Sequence, residues 1–222
     1  MSLNKPHKAP WPTKAVMEQI YEKHFWGGQD HDFYSGEGSH QKEIIQPYLE
    51  SVISFFKSHN NKLQVCDLGC GDFNIGKQLA PYTSKYIGID IVESLIVRNK
   101  KRFQREHISF HCLDIAKDEL PQGDCAILRQ VLQHLSNNEI INIVSQLTKY
   151  KYIILTEHLP NGAFTSNLDI ISGQGIRLKQ NSGVDLLKYP FHLQYYKKEL
   201  LNTYKTTHKG IIETNLFTSL CN

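Results

Sequence analysis

No stretch of the 222 residues approaches the roughly 18 consecutive apolar positions that a membrane span requires, so a membrane-embedded protein is not expected. Charge of one sign is scarce as well. Twenty-five Lys and Arg against 22 Asp and Glu leave a net +3, too little for the basic face of an ordinary nucleic-acid binder. Cysteine is sparse and unpaired: Cys66, Cys70, Cys112, Cys125 and Cys221 contain no Cys-x-x-Cys, and three of them fall in expected buried strands. Reduced packing residues of a cytoplasmic protein are therefore expected, not a disulfide framework. Residues 1–12 carry three prolines and no apolar core, which excludes a signal peptide. The length suits one well-buried α/β domain with a modest addition and is short for two.

What is present is organised around Lys62-Leu63-Gln64-Val65-Cys66-Asp67-Leu68-Gly69-Cys70-Gly71-Asp72-Phe73-Asn74-Ile75-Gly76, which reads as strand, glycine turn and helix. Leu63, Val65 and Leu68 supply the apolar strand, and Asp67 sits at its carboxyl end. Gly69 and Gly71 allow a tight turn with close backbone approach to a ligand. Where a dinucleotide fingerprint needs its third glycine or an alanine, this chain has Asn74, so no pyrophosphate seat is indicated. A carboxylate just before the first glycine would repel a diphosphate and suits a positively charged ligand.

Around this cradle, hydrophobic periodicity sets out the elements. Val16, Ile20, Tyr21 and Phe25 predict a helix over 13–25, stopped by Gly27-Gly28. Residues 30–40 are too polar and glycine-rich for core and predict a lid loop. His31, Asp32 and His40 there lack helix-facing ligand spacing, so no metal site is expected. Ile44, Ile45, Tyr48, Leu49, Val52, Ile53 and Phe56 predict a second helix, with Pro47 kinking it or starting its second part.

From residue 62 strands and helices alternate, which predicts a right-handed parallel sheet. Strands are expected near 62–67, 85–90, 108–113, 124–129 and 151–157. Helices are expected near 74–82, 93–106 and 137–149, the last opened by the capping box Ser136-Asn137-Asn138-Glu139. The basic run from Arg98 to Arg105 is expected to be a solvated outer face. Scattered glycines in 161–190 predict a substrate-side insertion. A helix near 197–203 and a terminal hairpin about His208-Lys209-Gly210 are expected to close the chain.

Asp67-Leu68-Gly69-Cys70-Gly71 resembles the first motif of the class I S-adenosylmethionine-dependent methyltransferases, and the block from Leu120 to Leu135 resembles the fourth-strand block of their small-molecule members. The resemblance covers about residues 62–160. It implies an α/β, Rossmann-like, mostly parallel seven-stranded sheet with helices on both faces and an antiparallel last strand. It implies one domain, 1–222: N-terminal helices and lid loop over 1–60, a cofactor-binding core over 61–160, and an insertion with C-terminal hairpin over 161–222. The implied cofactor is S-adenosyl-L-methionine. The implied reaction moves a methyl group to a small-molecule or glycan acceptor, at oxygen. RNA methylation and a non-catalytic adenosylmethionine-binding module stand as alternatives. A nicotinamide or flavin oxidoreductase is disfavoured by Asn74 and Asp67.

On this resemblance Asp67, Gly69, Cys70 and Gly71 form the cofactor cradle. Asp90 closes the second strand about 20 residues beyond the glycine turn, where a carboxylate grips a ribose diol, and it is also placed to cap the next helix. Ile91 would lie against the adenine, Asp114 and Ile115 would read its edge, and Arg129 and Gln130 would sit where donor faces acceptor. The fifth strand ends Leu155-Thr156-Glu157-His158. His158 is the expected base for a hydroxyl acceptor, with a structural loop histidine as the alternative. Glu157 is expected to orient it or touch substrate, and Arg129 completes the catalytic candidates. His134 reads as a helix-capping or core-edge histidine, and Arg177 as a contact for an acidic group on the acceptor. Segments 27–40 and 161–190 are expected to close over the acceptor. Phe73 occupies a place where many members have another glycine.

Overall fold

The computed structural model describes residues 10–206 and 210–219. Two helices, α1 (Thr13–Glu22) and α2 (Lys42–Ser58), precede β1 (Gln64–Leu68). There follow α3 (Gly76–Leu79), β2 (Lys85–Asp90), α4 (Glu93–Phe103), β3 (Ile108–Cys112), β4 (Cys125–Arg129), α5 (Asn137–Leu147) and β5 (Tyr152–Pro160). Two short strands, β6 (Thr165–Ser166) and β7 (Ser182–Gly183), pair within the insertion, and β8 (Lys197–Lys205) and β9 (Gly210–Thr218) end the chain. The main sheet has seven strands in the order β3-β2-β1-β4-β5-β9-β8. β1 to β5 are parallel, and β9 runs antiparallel to both its neighbours. The expected Rossmann-like sheet is the one found.

Strand order reverses between β1 and β4, so the loops leaving their carboxyl ends part and open a crevice at the switch point. Successive strand residues face opposite sides, which divides the core in two. Cys66, Leu68, Ala126, Leu128, Ile153 and Leu155 pack toward α1, α5 and the insertion. Val65, Cys125, Ile127 and Ile154 pack toward α2 and α3. The capping box of α5 forms as its sequence predicts, with Ser136 and Glu139 each satisfying the other's backbone amide. One continuous α2 runs through Pro47.

Three expectations are corrected. The segment 197–203 is not a helix but most of β8: its backbone groups complete the free edge of β9, and that pairing overrides the helical look of Lys198-Glu199-Leu200-Leu201. β5 runs on to Pro160 because β9 pairs with it up to Gly210, so His158 lies within a strand and not in the loop after it. Cys112, at the end of the outermost strand β3, is exposed, unlike buried Cys66, Cys70 and Cys125; Cys221 lies outside the described residues. The predicted hairpin is there, while His208 and Lys209 of its turn also lie outside them.

Phe73 explains why the cradle tolerates no extra glycine. Its φ is +66°, a left-handed conformation that glycine adopts freely, yet its side chain is wholly buried. The ring packs edge-on against Tyr86 and Phe110 and tilted against Phe103. Gly76 makes the room, since a Cβ there would lie 2.3 Å from the ring. Losing a buried aromatic ring costs about 3–5 kcal/mol, whereas relief of left-handed strain returns about 1–2 kcal/mol, so packing wins. Both Phe73→Gly and Phe73→Ala should therefore destabilise in urea unfolding, with the glycine variant the more stable of the two by about 1 kcal/mol. An alanine variant as stable as the glycine variant would contradict this account.

Candidate active site

The carboxyl ends of β1, β2 and β4 and the turns beyond β3 and β4 surround a cavity of about 380 Å³. Its floor is the glycine turn. Gly69 (φ +92°) and Gly71 (φ +53°) lie where a side chain has no place: a Cβ on Gly69 would sit 2.4 Å from Val131, and one on Gly71 would sit 2.3 Å from the Ser35 hydroxyl. The amides of Gly69 and Cys70 both bond Ile89 O at 2.8 Å, which locks the turn onto β2.

Two buried carboxylates face this cavity. Asp67 accepts a 2.8 Å bond from the Tyr86 hydroxyl, and Asp90 accepts from the amides of Gly71 (3.0 Å) and Val92 (3.1 Å). Burial pushes Asp67 up to about 7, with Asp90 adding to the rise and the Tyr86 bond and Arg129 opposing it. Burial likewise pushes Asp90 up to about 6 against its backbone amide bonds. Asp90 thus does cap the chain entering α4 while still facing the cavity. Neither acid has a bonded cation among the described residues.

Opposite lie two unpartnered donors. Arg129 is buried at the end of β4, its guanidinium 4.8 Å over the Tyr48 ring. It donates to Gly38 O, to Ser39 Oγ (3.1 Å) and to Gln130 Oε1 (3.4 Å), but its Nε has no partner, and neither has the Tyr48 hydroxyl. Burial draws the Arg129 pKa down and raises that of Tyr48. A sequence reading finds Arg129 by its place after the strand. Tyr48 escapes it because a tyrosine in a helical apolar stripe looks like core.

The 30–40 segment folds over the cavity. Asp72, just beyond Gly71, fastens it: its carboxylate accepts from the Ser35 amide (2.9 Å) and from His40 Nε2 (2.6 Å), and its own amide donates to Ser35 Oγ. Burial would raise the Asp72 pKa, but bonds from His40 and from the Asn74 and Ser35 amides hold it below the usual value. Asn74 donates to Ser39 O at 2.7 Å. Asp32 pairs with Arg98 and with half-exposed Arg102, so part of the basic run of α4 anchors this segment. His40 and Asp32 are thereby occupied, and among the described residues no group of three or more His, Cys, Asp or Glu is arranged for a metal ion.

Of the remaining sequence candidates, Ile91, Asp114, Ile115 and Gln130 line the cavity. Asp114 turns its carboxylate onto the Ala116 amide and Lys117. Gln130 has a left-handed φ of +56° and donates its amide to Thr156 O, which ends β4 abruptly at the crevice. Glu157 and His158 are not brought there. His158 sits at a strand position paired with Ile212, with Nε2 3.4 Å from Thr206, and Glu157 occupies the other face of β5 against a second cavity. The cause is the extra strand length noted above. Arg177 is buried and spends all five N–H groups on the carbonyls of Leu168, Leu132, Gln133 and Leu135 and on Asn137 Oδ1, leaving none for an acceptor.

His134 does line the cavity. Its ring packs 5.1 Å from Trp26, Nδ1 lies 3.1 Å from Gly173 O, and Nε2 lies 3.2 Å from Gln133 Nε2. A carbonyl only accepts and an amide nitrogen only donates, so the proton belongs on Nδ1 and the lone pair on Nε2. Burial lowers its pKa to about 4 and keeps it neutral.

Residues 66–150 match the family model described as a methyltransferase domain. Over 139 residues the chain is 26% identical to the ubiquinone biosynthesis O-methyltransferase of Rickettsia akari (strain Hartford), a match that covers 60% of this chain and 54% of the relative. The chain thus spans about half the length of that curated relative. Among solved structures, the N-methyltransferase NodS from Bradyrhizobium japonicum WM9 in complex with S-adenosyl-L-homocysteine aligns with a TM-score of 0.63 at 13% identity, covering 93% of this chain and all of that one. Magnesium protoporphyrin IX methyltransferase from Synechocystis PCC 6803 with bound S-adenosylhomocysteine aligns with a TM-score of 0.58 at 17% identity, over 94% of this chain and all of that one.

The raised pKa of Asp67 gives a test of the empty cavity's electrostatics. The acid ionises more readily in the unfolded chain, so stability falls as pH rises from about 4, its unfolded value, to the folded value of about 7. Asp67→Asn keeps an oxygen for Tyr86 and removes the charge. Its gain in Tm over the ligand-free parent should grow between about pH 4 and about pH 7 and then level off. A gain that does not change with pH, or no gain at all, in fluorimetric melting would contradict the assignment.

Proposed function

We propose, from the match of residues 66–150 to the methyltransferase-domain family model, that the chain is an S-adenosyl-L-methionine-dependent methyltransferase acting on a hydroxyl oxygen of a small molecule. The observation that carries this reading is the pairing, in one cavity, of two buried cation-seeking acids with two buried unpartnered donors. A zwitterionic amino-acid end carried on a sulfonium needs that set: Asp67 for the positive groups, and Arg129 Nε with Tyr48 for a carboxylate. Asp90 would take the ribose hydroxyls on its remaining lone pairs. Ile91, Leu113 and Ile115 supply apolar walls for a flat base, with Asp114 at its edge. S-adenosyl-L-methionine, once bound, supplies a methyl group activated for displacement by its positive sulfur.

Transfer to oxygen asks the protein to align the acceptor, exclude water and receive a proton. Met17, Tyr21 and Trp26 wall the acceptor side from α1 and its end, and the lid fastened to Asp72 closes it. The proton acceptor assigned here, in place of His158, is His134 Nε2, from whose lone pair the acceptor hydroxyl would displace the Gln133 amide. The sequence relative with a matching stretch is named an O-methyltransferase, which favours oxygen; the structural neighbours include an N-methyltransferase, so the acceptor atom rests on the assay.

Methyl transfer from S-adenosyl-L-methionine bearing a deuterated methyl group, offered phenols, catechols, hydroxylated heterocycles and glycans, tests the reading. One class should gain the label at oxygen, and labelling of amines alone would overturn the oxygen assignment. With that substrate, His134→Gln should lose about 10²–10⁴-fold in turnover while keeping donor affinity. His158→Gln should stay near the parent rate. Because His134 is already neutral above about pH 5, the parent's rate should show no rise through the ordinary histidine range. The reverse ranking of the two variants would return the base role to His158.

A further inference from the structure

A second cavity of about 310 Å³ lies between β5, β9 and the segment from Pro160 to Leu186, and it shares no lining residue with the first. About half of its wall is apolar, from Leu155, Leu159, Phe164, Val184, Ile211 and Phe217, and the rest is polar, Lys198 and Asp185 included. Set in that wall is Glu157, 3% exposed, with neither carboxylate oxygen bonded. Asn215, also buried, lines the same cavity and leaves its Oδ1 unbonded. Glu157 pairs across the strands with Glu213, and Asn215 is two ladder positions along, opposite Leu155, so all three side chains share one face of the sheet.

An orphaned carboxylate facing a second carboxylate is doubly unfavourable, first from lost hydration and then from like charge. The chain's own cations do not relieve it. Arg177 and the backbone amides of Gln133 and Leu132 lie near enough to lower the Glu157 pKa, but neither amide reaches hydrogen-bonding geometry with the carboxylate, and the Arg177 N–H groups are all taken by carbonyls and Asn137. Lys198 pairs with Glu213 at 3.9 Å, and Asp185 holds the Leu187 amide and Lys188. Once Glu157 is ionised, its oxygens and Asn215 Oδ1 are acceptors alone, so the partner that suits the charged form is a donor with several N–H groups. A divalent ion does not answer to this: the described residues form no group of three candidate ligands.

We propose that this second cavity binds a small organic ammonium, a protonated primary amine on an apolar body, with its N–H groups on Glu157 and Asn215. The apolar body lies against Leu159, Phe164 and Ile211, and Glu213 supplies further negative potential at the mouth. Burial pushes Glu157 up to about 8, so the ammonium enters a neutral acid at neutral pH and the carboxyl proton leaves to solvent on binding. The site is separate from the methyl-donor cavity and does not depend on the reading of that cavity.

Calorimetry of the full chain with benzylammonium, and with benzyl alcohol as a neutral probe of like shape, tests it. The ammonium should bind about tenfold or more tighter than the alcohol, and should release a proton near neutral pH, read from the dependence of the heat on buffer ionisation enthalpy. Glu157→Gln should lose about tenfold or more in ammonium affinity, and Asn215→Leu, which removes the second acceptor, should also weaken it. Asp67→Asn in the first cavity should leave it unchanged. If Glu157→Gln does not fold, the Asn215→Leu measurement and the alcohol comparison decide. No ammonium binding, equal binding of the alcohol, or loss caused by Asp67→Asn would overturn the proposal.

Discussion

Burying a carboxylate without a cation is the constraint from which the rest of this structure follows. The parallel sheet brings the carboxyl ends of β1 and β2 together, and with them Asp67 and Asp90. Water is excluded from both, and their pKa values rise. Such an arrangement lowers the stability of the ligand-free chain at neutral pH and becomes favourable when a positive ligand enters. The sheet, the helices and the turn are the scaffold that makes the burial sustainable; Tyr86 and the Gly71 and Val92 amides supply just enough hydrogen bonding to hold both acids in place.

The 30–40 segment is fastened by a third buried acid of opposite character. Asp72 is held below the ordinary carboxylate range because His40 and two backbone amides bond it. Asp67, Asp72 and Asp90 thus divide by environment: Asp67 and Asp90 are buried without a bonded cation, while Asp72 has its partners and ties the 30–40 segment to the cradle. Its stabilising effect is present at neutral pH and fades as pH falls through the acid range, opposite in sign to that of Asp67. The two responses meet at the same turn, so the lid is most firmly latched in the pH range where the cavity most strongly attracts a cation.

What was legible in the sequence was local. The glycine turn, Asp67 and the capping box of α5 each depend on residues within a few positions, and Asp90 on a fixed spacing from that turn, so spacing alone exposes them. The parallel order followed from alternation of strands and helices. Contacts between distant parts of the chain were not legible: Arg129 is found from its strand, but not Tyr48 beneath it across 81 positions, nor Asn74 meeting Ser39 across 35. Asp72 carried a weak signal, as an acid beside the glycine turn with no helix to cap. The misplacement of His158 has the same origin, since the length of β5 is set by pairing with β9, more than 50 residues later, and not by its own composition. The edge strand β8 was misread as helix for that reason too.

The central claim is that Asp67 and Asp90 await a positively charged ligand, and calorimetric titration of S-adenosyl-L-methionine across pH tests it most directly. A cationic ligand favours the ionised acids, so binding below their free pKa values of about 7 and about 6 must expel protons. Affinity should strengthen as pH rises from about 5 to about 8, with proton release falling away over the same interval. An affinity independent of pH, or one that weakens as pH rises, would contradict the account.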